Sequence, residues 1–145
     1  MMLPQPILKP MPDSGETMLV QSPLVITLPI VGRILTVLPG FVTDGTSIPD
    51  AFWTVTGVAP FDPDFLAASL PHDALYGAEL LPREQCDDVF EALLMANSVR
   101  SKTHATLFFE AVRIGGASVW SQHTPESIAA ARQYCSLTWP CSQGR

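Results

Sequence analysis

Charge is what this chain has least of. Only 15% of its 145 residues are Asp, Glu, Lys or Arg, and eight basic residues face fourteen acidic ones, a net charge of −6. Without a basic cluster, a phosphate-backbone binder is disfavoured, and so is a basic helix lying on a membrane surface. No nucleic acid is expected as a partner. Apolar runs are short as well, and none reaches the roughly 20 residues that span a bilayer. The first residues carry no basic stretch followed by an apolar run, so a signal peptide is not expected. Cysteines number three, Cys86, Cys135 and Cys141. An odd count with no secretory signal argues against a disulfide framework, although a Cys135–Cys141 bridge stays open. No paired-cysteine zinc spacing occurs. A Gly-x-Ser-x-Gly nucleophile elbow is missing, and Gly115-Gly116 lacks the lysine and strand-to-helix setting of a phosphate loop.

What is present is an apolar chain of single-domain length, 47% hydrophobic. So little charge on so apolar a chain suggests that a partner covers part of its surface. Residues 1–23 form a proline-bearing arm with Pro4, Pro6, Pro10 and Pro12, unsuited to a helix or a central strand. It reads either as a docking arm for another subunit or as an arm packed on its own domain. Residues 22–28 and 33–38 are β-rich around the turn Pro29 to Gly32, which predicts a hairpin. Pro39-Gly40 breaks the second strand, and Asp44-Gly45 marks a turn before a short helix carrying Phe52 and Trp53.

Helices dominate thereafter. Asp62-Pro63-Asp64 is a cap, a first-turn proline and a first-turn acid, predicting a helix to Tyr76 that stops at Gly77, with a kink at Pro71. A second helix starts at Leu81-Pro82-Arg83 and ends near Asn97. It buries Cys86, Val89, Phe90, Leu93 and Leu94, with Asp87 at the edge of that stripe. A third is expected over residues 102–114, ended or bent by Gly115-Gly116, with Arg113 beside its apolar stripe. Thr124-Pro125-Glu126 starts a last short helix, and residues 136–145 read as irregular. Strands first and helices after predict an α+β fold: a short N-terminal antiparallel sheet with three or four helices packed on it. The organisation expected is an arm (1–23), one domain (24–120) and a C-terminal short helix with tail (121–145).

The chemistry-bearing stretch is Leu70-Pro71-His72-Asp73-Ala74-Leu75-Tyr76-Gly77. One helical turn puts His72 and Tyr76 on one face, with Asp73 at its border. Three readings follow. Asp44, His72, Asp73 and Asp87 could ligate zinc or a similar divalent ion whose bound water becomes a nucleophile. Without a metal, Asp73 or Asp87 could orient His72 as a general base, with Tyr76 as a catalytic acid or as a core residue whose hydroxyl is satisfied. Or an acid–imidazole–arginine network merely ties helices together, Arg83 and Arg113 balancing the charge. Arg83 lies one turn before Asp87, so the two can pair. His104 and His123 have no carboxylate pattern nearby and read as surface residues.

The order of motifs resembles a phage and prophage family, domain of unknown function 1353. The likeness rests on Pro39-Gly40-Phe41-Val42-Thr43-Asp44-Gly45-Thr46-Ser47-Ile48-Pro49, then His72-Asp73-Ala74-Leu75-Tyr76, Arg83 with Asp87, and Ala111-Val112-Arg113 with Gly115. The family pattern is roughly P-x-G-F-x-T-D-G-A-S-I-P, H-D-x-L-Y, R-x-x-A-D and V-R-x-x-G. Here the residue between proline and glycine is missing, Thr46 and Cys86 stand at alanine positions, and Pro71 replaces an aliphatic residue. The resemblance implies a bacteriophage origin and supplies no activity, the family being named for lacking one. With no signal peptide the chain is expected to be made in the host cytoplasm, and its low charge and proline-bearing arm suggest a virion component such as a tail or baseplate subunit. Its partners would be other phage structural proteins or a second copy, reached through the proline-bearing arm. The His-Asp-x-x-Tyr run is also similar to the active-site helix of secreted phospholipases A2, where histidine activates water and aspartate binds calcium. Their glycine-rich calcium loop and disulfides are missing here. The expectation is therefore a metal-dependent hydrolase (zinc or calcium) acting on the host envelope, or else a purely structural tail or connector subunit.

Overall fold

A computed structural model of the chain describes residues 3–11, 18–43, 62–97 and 102–141. Two three-stranded antiparallel sheets and four helices make up the described part, an α+β arrangement with its strands mostly N-terminal. The expected short helix with Phe52 and Trp53 lies outside the described residues.

The first sheet is ordered β1 (Leu8–Pro10), β2 (Met18–Val20), β5 (Val42–Thr43), and the second β3 (Leu24–Thr27), β4 (Ile34–Val37), β6 (Cys135–Thr138). In the predicted hairpin, Leu24 pairs with Val37 and Thr27 with Ile34. Alternation is strict in β3, where Leu24 and Ile26 go inward and Val25 and Thr27 outward. Proline confines β1 to a sheet edge, as its missing amides require. For residues 3–11, the arm packs on its own domain: Leu3 is buried and its amide donates to Asn97. The end of the chain corrects the irregular tail expected for residues 136–145. Cys135–Thr138 joins β4 as an edge strand, Val37 facing Cys135 and Ile34 facing Thr138. Four residues next to Trp139-Pro140 carry too weak a local pattern to announce a strand whose stability is tertiary.

Helix α1 (Pro63–Gly77) starts as its sequence dictates. Asp62 caps it, accepting from the Asp64 amide at 2.9 Å, and Pro63 takes the first position, where no amide partner is needed. It runs unbroken through Pro71 and is buried on nearly every side, which makes it the core helix. Helix α2 (Arg83–Ala96) packs against it and helix α3 (Lys102–Ser121) against α2; α4 (Pro125–Arg132) touches α1 and β6. Thr124 and Ser127 close a reciprocal capping box on α4.

Gly115-Gly116 does not end α3, which continues to Ser121. Gly116 instead permits a close approach. A Cβ there would clash with the Tyr76 hydroxyl and lie 3.3 Å from an Arg83 nitrogen. Gly116→Ala therefore sets about 1 kcal/mol of helix propensity against an overpacking cost of ~1–3 kcal/mol. Tyr76 cannot swing aside, because its ring lies against His72 and Trp120 and its hydroxyl is hydrogen-bonded. The clash wins, so urea unfolding of Gly116→Ala is expected to show lost stability. Gly77→Ala, whose new Cβ would meet Ala131 at an ordinary 3.6 Å, should show none.

Candidate functional site

Asp87 is the centre of the polar cluster, and the sequence placed it too far out. It was expected at the edge of the α2 stripe; it is fully buried, 0% exposed. Periodicity within one helix cannot show that α1 and α3 close over the same point from both sides. His72 of α1 reaches Asp87 Oδ1 through Nε2 at 2.8 Å. Arg113 of α3 donates to Oδ2 through Nη1 at 2.8 Å, and the Tyr76 hydroxyl donates to the same oxygen at 3.3 Å. Arg83, one turn earlier on α2, lies 3.7 Å from Oδ2 and donates to the Arg113 carbonyl at 3.2 Å. A fully buried carboxylate is tolerable only when paired and hydrogen-bonded in this way.

Burial alone would push the Asp87 carboxyl up. The hydrogen bonds from His72 and Arg113 outweigh it and hold the group below the ordinary carboxylate range, so Asp87 is ionised. The hydrogen bond to Asp87 in turn raises the Arg113 guanidinium. Burial pushes the Tyr76 phenol well above its usual range despite a hydrogen bond from Arg83, and the Asp87 charge adds to the rise. Tyr76 therefore stays protonated and acts as a donor to Asp87. Burial also lifts the Cys86 and Cys135 thiols to about 12. Both are free, as is the exposed Cys141, and the buried pair are unreactive core residues.

The ionised Asp87 only accepts, so His72 Nε2 donates, and in the neutral ring the lone pair belongs to Nδ1. No second hydrogen bond engages the ring among the described residues. The ring packs against Tyr76 and Phe90 in tilted contacts, with centroids 4.4 and 4.7 Å away. Rotating it would break the Asp87 bond.

His72 also forms part of the wall of a cavity of about 390 Å³, within the size range of small-molecule sites. From α1 come His72, Asp73, Tyr76 and Gly77. Val112, Gly116 and Val119 come from α3, Ser127 and Ala131 from α4, and Phe41 with Val42 from the start of β5. Asp73 faces this space and accepts a 2.5 Å hydrogen bond from Thr43 Oγ1. His72, Asp73 and Tyr76, singled out as catalytic, thus line one cavity. Of the ligand set Asp44, His72, Asp73 and Asp87, Asp44 lies outside the described residues and Asp87 is taken up by His72, Tyr76 and Arg113. No group of three or more His, Cys, Asp or Glu side chains is arranged to hold a metal among the described residues.

His123 differs from its expected place on the surface. It is not a surface histidine lacking a carboxylate: its Nδ1 lies 3.0 Å from Glu79 Oε1, its side chain is 13% exposed, and it lines the same cavity. The partner sits 44 residues away, beyond any local pattern. Trp120 was missed too; its ring meets Tyr76 edge-on at 5.1 Å and His123 at 5.4 Å. The spacing Trp120-x-x-His123 at the end of a helix is the one signal that could have found the pair.

The model of a family described as "Protein of unknown function (DUF1353)" matches residues 18–112. The chain belongs to that family. Neither the curated proteins nor the solved structures contain a match to it. The DUF1353 match takes in Thr43, His72, Asp73, Tyr76, Arg83 and Asp87, the acidic and aromatic heart of the cluster. Arg113 follows directly after it. Counting V-R-x-x-G from Val112 lands on Gly116, the residue that admits the Tyr76 hydroxyl. Residues far apart in the matched sequence therefore meet, Thr43 with Asp73, and His72 and Tyr76 with Asp87. Trp120, His123 and α4, which complete the cavity, lie beyond the matched residues.

Among the described residues no helix is long and apolar enough to cross a membrane.

Proposed function

We propose that the cavity is a hydrolytic site in which His72 takes a proton from water and Asp87 holds the ring. One observation carries the reading: a buried, ionised carboxylate 2.8 Å from Nε2 of a histidine that lines a cavity. A base so held keeps one tautomer and one orientation, which is what general-base catalysis needs. Asp87 would also stabilise the imidazolium formed once the water proton has been taken. The phospholipase-like order His-Asp-x-x-Tyr fits this assignment, with Asp73 beside the base. Should a divalent ion take part, zinc or calcium, Asp73 would be its carboxylate ligand from the cavity wall.

The remaining walls are mostly apolar, Phe41, Val42, Val112, Val119 and Ala131, which suits an ester with an apolar acyl group. A phage origin extends the reading on the strength of the family resemblance, and a place in the tail or baseplate, with substrates in the host envelope, on the chain's low charge and proline-bearing arm. The test is hydrolysis of a panel of carboxylic esters of increasing acyl length by the purified chain, with His72→Gln alongside. Turnover lost in the variant is expected; no turnover above buffer on any ester would contradict the reading.

A second reading has its own support. Among the described residues the only buried side-chain polar atom without a partner is Arg33 Nε. A network so well satisfied also suits a structural phage subunit in which Asp87 only fastens three helices. That reading expects His72→Gln to change stability and no reaction rate.

A further inference from the structure

The cavity holds a second histidine–carboxylate pair that the base mechanism leaves unused. A carboxylate accepts, so His123 Nδ1 donates to Glu79 across 3.0 Å; Nε2 is the ring's other nitrogen, and the residue lines the cavity. The two imidazoles are joined through a row of aromatic rings, His72 to Tyr76 at 4.4 Å, Tyr76 to Trp120 at 5.1 Å and Trp120 to His123 at 5.4 Å. Each is fixed by its own carboxylate, and both bound the same 390 Å³.

Glu79 occupies an unusual place for its type. Its φ is 44°, the left-handed region just beyond α1, where glycine or asparagine is the ordinary residue. Arg132 fastens that turn, donating through Nε to the Ala78 carbonyl at 2.7 Å and through Nη2 to the Glu79 carbonyl at 3.3 Å. A left-handed backbone held from outside thus carries the side chain that fixes a cavity histidine.

We infer that His123 is the proton donor to the leaving group, so that the site cleaves esters of ordinary alcohols. This rests on the reading of His72 as base. Water attacks the acyl carbon while His72 Nδ1 takes one of its protons. The bond from acyl carbon to alkoxy oxygen breaks, and that oxygen receives the proton from Nε2 of the doubly protonated His123. Acid and alcohol leave; solvent returns a proton to His123 and removes one from His72. Nothing is oxidised or reduced.

Leaving-group dependence tests this on the full chain, with the ethyl and 4-nitrophenyl esters of one acyl group. A nitrophenolate departs without protonation, whereas an ethoxide does not. His123→Gln is expected to slow the ethyl ester by about 100-fold or more and to leave the nitrophenyl ester within about threefold. Glu79→Gln, which keeps an acceptor for Nδ1 but removes the charge, should repeat the pattern in weaker form. His72→Gln should slow both esters. Equal slowing of both esters by His123→Gln, or none on either, overturns the assignment while His72 stands. Unchanged rates in His72→Gln remove the base and this inference together.

Discussion

Asp87→Ala is expected to cost roughly 3–5 kcal/mol of folding stability, the scale seen when one member of a buried charged network is removed. Typical domains hold only about 5–15 kcal/mol, so the variant should stand near the edge of folding. The size follows from what is left behind. Arg113 loses its acceptor at 2.8 Å, and the His72 and Tyr76 donors lose theirs in the core. The contrast is Arg113 with Glu84, 4.0 Å apart with Glu84 76% exposed; Glu84→Ala should cost ~1 kcal/mol or less. Acid should report the same group. A carboxyl whose folded pKa lies below its ordinary 3.8 stabilises the protein above that value and loses the effect as pH falls through the folded one. Wild-type stability should therefore drop on acidification below about pH 4. The part of the drop due to Asp87 should be missing from Asp87→Asn. Urea titrations at several pH values measure both effects, and a loss under ~1 kcal/mol in Asp87→Ala would contradict the network described here.

His72→Gln separates chemistry from folding. Glutamine has an amide donor that can still approach Asp87, and Arg113 and Tyr76 keep their bonds to it. Stability should change by about 1 kcal/mol or less. The rate should not be spared, because an amide cannot take a proton from water. The expected loss is about 100- to 10,000-fold in kcat/KM, equal to ~3–5 kcal/mol of transition-state stabilisation. Loss of rate and stability in proportion would instead mark His72 as a fastening residue.

Local physics made much of the fold readable from residues alone. Asp62-Pro63-Asp64 started α1, Thr124-Pro125 started α4, and the β-rich runs around Pro29 to Gly32 became β3 and β4, because each signal is satisfied within a few residues. Arg83 and Asp87 were one turn apart on one helix, and they do lie side by side. What stayed hidden was set by neighbours distant in sequence. Asp87 looked peripheral until α1 and α3 covered it. Gly115-Gly116 looked like a stop because the Tyr76 hydroxyl that needs the room belongs to another helix. His123 looked solitary because Glu79 precedes it by a whole helix pair. β6 exists only because β4 offers an edge.

The central claim is that Asp87 fixes His72, a residue of the cavity wall, in one tautomer, with Nε2 protonated and Nδ1 bare. A long-range 1H–15N correlation spectrum of the His72 ring in its neutral form reads this directly. The account predicts a proton held on Nε2 and a bare Nδ1, with that preference lost in Asp87→Asn. A proton on Nδ1, or rapid exchange between the two nitrogens in the wild-type chain, would contradict it.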